Sequence, residues 1–201
     1  MSRHLSDPFV KQAQKDGYRS RSAYKLIELN EKDRLIRPGM RIMDLGSAPG
    51  GWSQVAGKLV GRKGRVLATD ILPMDALANV DFIQGDFTDE AIVQQLLGWL
   101  DGGKFDLVIS DIAPNITGIS MADQASSMYF LELALDTVRK TLKPGASFVA
   151  KMFQGSGSDQ YLKELRTHFE KVLIRKPAAS RKESREVYLV AKRFKPQAAV
   201  A

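Results

Sequence analysis

The sequence predicts an α/β fold: a mostly parallel seven-stranded sheet with one antiparallel strand and helices on both faces. Three observations carry this. Short apolar runs alternate with longer segments of helical spacing, the pattern of strand–helix units wound into a covered sheet. The first apolar run leads through a glycine-rich turn, DLGSAPGGW (44–52), into a helix-like stretch. Acidic residues then recur where the predicted strands end.

Taken in order, RIMDL (41–45), RVLATDI (65–71), VDFIQ (80–84), FDLVISDI (105–112) and ASFVAKMF (146–153) read as strands. Helices are predicted between them near 52–60, 89–100 and 121–142. The last places Met128, Leu131, Leu135, Val138 and Leu142 on one stripe, and Pro144-Gly145 ends it. A short helix near 158–168 and a strand at 170–175 follow, and REVYLVAKRF (185–194) reads as a final antiparallel strand. Ahead of the first strand, residues 20–36 read as an added amphipathic helix. The expectation is a single domain over 1–201, with 1–40 a basic helical extension and 195–201 a frayed tail.

Composition removes several classes of function. With 44% hydrophobic and 26% charged residues, the 201-residue chain is an ordinary globular one with room for a substantial core. Without cysteine there is no disulfide, thiolate zinc site or cysteine nucleophile. His4 and His168 are the only histidines, so a multi-histidine metal site is excluded and no metal is expected. No apolar run has membrane-span length, and MSRHLSDPFVKQAQKDGY lacks the apolar stretch of a secretory signal. A cytoplasmic protein without a membrane partner is expected. No long apolar stripe demands a second copy, so it is expected to be a monomer.

The net charge of +7 is unevenly placed. Residues 1–41 carry ten Lys/Arg against five Asp/Glu, residues 42–170 eleven against sixteen, and residues 171–201 nine against two. An acidic middle suits a cationic cofactor. The basic ends, with Arg19/Arg21, Arg175/Lys176 and Arg181/Lys182/Arg185, suit nucleic-acid phosphates or simply a solvated surface. Charge does not choose RNA over DNA.

The glycine turn is a candidate nucleoside cradle. Gly46, Gly50 and Gly51 give backbone room for close approach, and Asp44 brings a carboxylate to the strand end. It is no P-loop, because no Lys-Ser or Lys-Thr follows Gly51, and its G-x-x-x-G-G spacing is not the G-x-G-x-x-G of dinucleotide sites. An adenosine bearing a sulfonium cation suits carboxylates without phosphate partners. Ligands of such sheets bind at the carboxyl ends of the strands, and Asp44, Asp70, Asp86 and Asp111 all fall there. Asp70 is placed for ribose hydroxyls, and Asp86 for an adenine amino group or nearby backbone. Trp52 reads either as an aromatic surface beside the cofactor or as a core residue.

Lys151 interrupts an apolar strand, so its ammonium needs a partner, a lost proton or a route to solvent. Lys25 and Glu186 read alone as surface charges.

YRSRSAYKL, DLGSAPGGW, TDILP, QGDF, SDIAPN, FVAKMFQG and SREVYLV in this order resemble the FtsJ/RrmJ-type 2′-O-ribose RNA methyltransferases over nearly the whole chain. The resemblance implies a Rossmann-like class I methyltransferase fold dependent on S-adenosyl-L-methionine. It implies cofactor binding by Gly50, Trp52, Asp70, Asp86 and Asp111, and a catalytic tetrad of Lys25, Asp111, Lys151 and Glu186. It further implies a uridine ribose in 23S rRNA as acceptor, read within the 50S ribosomal subunit. On this reading Lys151 is the general base, with Lys25 as the neighbouring cation that, with burial, favours loss of its proton; Asp111 fixes its amine, and Glu186 orients the lysine or the ribose. A rival version keeps Lys151 charged, steering the hydroxyl lone pair by position alone.

Other acceptors remain as alternatives. Cysteine-dependent base methylation is excluded, and Asp111-Ile112-Ala113-Pro114-Asn115 departs from the Asp/Asn-Pro-Pro-aromatic loop of amine methylation. A transfer-RNA or cap 2′-O-methyltransferase, or an RNA-binding ribosome assembly factor that keeps the fold, shares most of these features.

Overall fold

The computed structural model describes residues 7–113 and 120–196. Residues 114–119, which include Pro114 and Asn115 of SDIAPN, and most of the expected frayed tail lie outside the described residues. The strands are β1 (Arg41–Leu45), β2 (Arg65–Asp70), β3 (Val80–Gln84), β4 (Phe105–Ser110), β5 (Leu142–Phe153), β6 (Phe169–Arg175) and β7 (Glu186–Phe194). They form one seven-stranded sheet in the order β3-β2-β1-β4-β5-β7-β6. β7 pairs antiparallel with both β5 and β6, and the remaining pairs are parallel.

The chain steps outward from β1 through β2 to β3, then returns to place β4 on the other side of β1. The turns after β1 and β4 therefore splay apart at a topological switch point, the place where such sheets open a crevice. The core follows from alternation along the strands. Met43 and Leu45 point into one apolar layer with Leu131, Leu135 and Leu165, from the helices α5 (Ser120–Thr141) and α6 (Ser158–His168). Ile42 points into the opposite layer with Leu26, Trp52 and Val55, from the helices α2 (Ala23–Asp33) and α3 (Gly51–Val60).

Three details depart from expectation. A separate helix, α1 (Pro8–Asp16), precedes α2. Its signals are local: the Asp7 carboxylate caps the Phe9 N–H at 2.9 Å, proline stands in the first turn, and Gly17 ends the helix at φ 73°. The expected helix over 20–36 is shorter, because Arg34 adopts a left-handed conformation (φ 50°) and returns its N–H to Asn30 O at 2.7 Å. Finally, β5 begins at Leu142, ahead of the Pro144-Gly145 pair expected to precede it. The β4–β5 register shifts between Phe105 and Leu107, and such an irregularity tolerates a residue with no N–H to donate. The helix α4 (Glu90–Leu100) completes the cover on the α5 side.

Candidate active site

The α1–α2 extension is strapped across the β6–β7 side of the sheet. Asp33 receives the Arg175 guanidinium through two 2.9 Å bonds, and Glu28 accepts the Ala178 N–H at 2.6 Å. Arg21 reaches Asp7 and the Ala179 carbonyl. This docking brings Lys25, from the middle of α2, over the first residues of β7.

There the four members of the expected tetrad form two ion pairs. Lys25 Nζ donates to Glu186 Oε1 at 2.5 Å, and Lys151 Nζ donates to Asp111 Oδ1 at 3.0 Å and to the Asp111 carbonyl at 2.7 Å. Asp111 lies one residue past β4 and is half-buried, whereas Lys25, Lys151 and Glu186 are buried. Strand geometry explains the meeting. Lys151 is opposite Tyr188 in the β5–β7 register, and Glu186 precedes Tyr188 by two residues on the same face.

Tyr188 joins the two pairs. Its hydroxyl donates to Asp111 Oδ1 at 2.6 Å and lies 3.5 Å from Glu186 Oε1. The ring stacks at a tilt on Trp52, with centroids 5.6 Å apart, and Lys25 Nζ lies 5.5 Å over its centre. Burial, then the charges of Asp111 and Glu186, holds the phenol well above its ordinary value, so it stays a donor. Burial also pushes the Glu186 carboxyl up. The Lys25 hydrogen bond and charge, the Ser180 hydroxyl at 2.7 Å and Lys151 outweigh that and leave it below the ordinary glutamate value. Sequence reading missed Tyr188, although period-two spacing from Glu186 on a strand was a usable signal.

The glycine turn lies beside this cluster. Gly50 caps α3 at φ 105°, a conformation that disfavours any side chain. A Cβ there would also press on Met74, Arg19 and Leu77, and one on Gly46 would overlap Ile112. Asp70 holds the turn, its two oxygens accepting the Ala48 and Leu72 N–H groups at 2.9 Å each. Asp86 is exposed and accepts the Thr88 N–H at 2.9 Å. Trp52 is 2% exposed and gives its indole N–H to the Ser22 carbonyl at 2.9 Å, so it is mainly a core residue. It still lines a small cavity of about 40 Å³ with Asp44, Gly46, Ser47 and Asp111.

Asp44 forms the floor. One carboxylate oxygen accepts the Ser53 hydroxyl at 2.6 Å, while its other oxygen and the neighbouring Ser47 hydroxyl are buried without a hydrogen-bond partner among the described residues. Burial pushes the carboxyl up to about 7; the charges of Asp111 and Asp70 add to this against the pull of Ser53. The floor is thus an under-satisfied, negatively polarised pocket. Among the described residues no group of three or more His, Cys, Asp or Glu is arranged to hold a metal ion, and no helix is long and apolar enough to cross a membrane.

The basic clusters behave differently from one another. Arg19 is committed inward, donating to the Asp75 and Ala76 carbonyls at 2.8 and 2.9 Å and to Pro49 O at 3.4 Å. It therefore clamps the β2–β3 connection onto the glycine turn. Arg181 and Lys182 are exposed.

The FtsJ-like methyltransferase family model matches residues 18–194. Ribosomal RNA large subunit methyltransferase E of Stutzerimonas stutzeri is 70% identical over 195 residues, covering 97% of this chain and 95% of that protein. Its counterpart in Marinobacter nauticus is 63% identical, covering 97% and 94%. The crystal structure of a ribosomal RNA methyltransferase from Plasmodium falciparum superposes with a TM-score of 0.79 at 31% identity, covering 88% of this chain and 98% of that one. By sequence and by fold, this chain belongs to the FtsJ-like methyltransferase family.

Proposed function

We propose that this methyltransferase moves the methyl group of S-adenosylmethionine to the ribose 2′-hydroxyl of a uridine in 23S rRNA, within the assembled 50S subunit. The supporting observation is the convergence of Lys25, Asp111, Lys151 and Glu186 on Tyr188, directly beside the under-satisfied floor of the glycine turn. Relatives named as large-subunit ribosomal RNA methyltransferases favour ribosomal RNA over transfer RNA or a cap as the acceptor.

The residues present fit the cofactor. A partnerless buried oxygen on Asp44, another on Ser47 and a carboxyl raised by its acidic neighbours together favour a cationic ligand. Asp44 and Asp111 would hold the cationic end, with Trp52 as a wall and Gly50 giving the backbone clearance. Asp70 and Asp86 would take the ribose and adenine on the open side. S-adenosylmethionine supplies a methyl group on a positively charged sulfur, open to attack in line with the departing bond.

The acceptor hydroxyl is a weak nucleophile until its proton leaves. Lys151, acting as the neutral amine after its ammonium has released a proton to solvent, is the group assigned to take the hydroxyl proton, and the Asp111 carbonyl and carboxylate fix the position of its nitrogen. Tyr188 fixes Asp111 in turn, so the base is held through a chain of two hydrogen bonds. Lys25 keeps Glu186 ionised, and Glu186 serves the ribose side of the pocket. Positioning and proton removal thus come from separate members of one cluster.

The direct experiment supplies the protein with methyl-labelled S-adenosylmethionine and large subunits lacking ribose methylation, with free rRNA alongside. The label is expected in a single 2′-O-methyluridine, with particles preferred over free RNA. Label on a base, or no transfer to either substrate, would refute the reading.

A further inference from the structure

A second charged feature lies at the end of the sheet opposite the methyl-transfer cluster. Arg34, Arg37, Lys143, Lys192 and Arg193 line a hollow of about 400 Å³, and among the described residues Asp106 is the only carboxylate in its wall. The hollow forms where the residue after α2, the start of β4, the Pro144-Gly145 stretch of β5 and the end of β7 come together.

Its cations are not equally engaged. Lys143 is held by Asp106 at 2.7 Å, Lys192 by the Asp33 carbonyl at 2.5 Å, and Arg193 by Glu170 at 3.0 Å. Asp106 is further occupied by the Arg41 N–H at 2.8 Å, and Asp33 by Arg175 at 2.9 Å. Arg34 and Arg37 are exposed, and their side chains have no hydrogen bond or ion pair among the described residues. Two free guanidiniums thus border a polar hollow whose nearby acids are already spent. Guanidinium is the side chain best suited to paired bonds with phosphate oxygens.

We infer that this hollow is a second RNA-backbone contact, a phosphate site carried by Arg34 and Arg37 at the end of the sheet away from the methyl-transfer cluster. The inference rests on the reading that the acceptor is ribosomal RNA. Along β5, Ser147 at the hollow and Lys151 in the cluster are about 13 Å apart by strand rise, and they face opposite ends of the sheet. A strand confined to the crevice engages only the carboxyl end of the sheet. A folded RNA presents several backbone segments at once and engages both. The hollow therefore deepens the function by selecting for structured RNA over an isolated target strand.

The test is the double variant Arg34→Glu/Arg37→Glu, compared with wild type for binding to large subunits over a range of KCl. Affinity for subunits is expected to fall about tenfold or more at moderate salt, and the salt dependence to become shallower by roughly two ion equivalents. S-adenosylmethionine affinity by calorimetry, and binding of a short single-stranded oligonucleotide, are expected to stay at the wild-type level, showing an intact fold. A milder Arg34→Gln/Arg37→Gln pair should give a smaller loss in the same direction. Unchanged subunit affinity and salt slope in both variants would overturn the inference. So would loss of tripolyphosphate binding with subunit binding intact, which would mark a small-anion site. Failure of the wild-type protein to bind or methylate subunits would instead refute the proposed function itself.

Discussion

The lysine–carboxylate cluster and the glycine turn are neighbours built on opposite principles. In the cluster each charged group has a partner: Lys25 with Glu186, Lys151 with Asp111, and Tyr188 between them. The floor of the turn leaves Asp44 and Ser47 oxygens buried without partners among the described residues, in a field that disfavours further negative charge. A network complete in itself keeps its geometry with or without a ligand, as groups that handle a proton require. An incomplete one gains by binding, because a cation there satisfies what the fold leaves open. Donor binding and proton handling should therefore separate under mutation.

The largest expected effect comes from breaking the cluster. Lys25→Ala leaves the Glu186 carboxylate buried with only neutral partners in direct contact. Removing one partner of a buried pair costs about 3–5 kcal/mol. Denaturant unfolding should show a loss of that order, together with loss of transfer. A variant as stable and active as wild type would mean that the pair is incidental.

Asp70→Ala should act on the turn instead. It takes the acceptor from the part-buried Ala48 N–H, loosens the turn at Leu72 and removes a candidate ribose partner, so S-adenosylmethionine affinity by calorimetry should fall about tenfold. Unchanged affinity would remove Asp70 from the cofactor site. Tyr188→Phe is a finer probe, since it deletes one hydroxyl from the link to Asp111. A several-fold loss in the transfer rate is expected, with cofactor affinity retained; the reverse pattern would assign Tyr188 to binding.

A further effect is one of pH. Asp44 has its folded value raised to about 7, so its ionisation opposes folding. Its contribution is harmless at pH 4, costs increasing stability as the pH rises, and is fully felt above about 7. The stability of Asp44→Asn relative to wild type should therefore climb between pH 4 and 7 and then level off. A pH-independent difference would show that Asp44 titrates in the ordinary range.

Much of this was legible in the residues. The seven strands follow from apolar runs, and Lys151 stood out because a lysine inside ASFVAKMF breaks the strand pattern. Pro144-Gly145 misled, since a break in sequence became an irregularity absorbed within β5. Tyr188 was hidden because a tyrosine among valines and leucines reads as core. Lys25 and Glu186 are separated by 161 positions, and only the docking of α2 on the β6–β7 side brings them together. Motif resemblance could join them, but spacing could not. Arg19 shows the same limit from the other side: charge left a phosphate contact or a solvated surface open, and could not foresee its bonds to three backbone carbonyls.

The separation of the two regions is tested most directly by Lys151→Ala, measured for S-adenosylmethionine affinity and for methyl transfer to undermethylated large subunits. Transfer should fall by at least about a hundredfold, the lower end for loss of a general base, while affinity stays within about twofold of wild type. Near-normal turnover, or a loss traced entirely to weaker cofactor binding, would contradict the assignment of proton handling to the cluster.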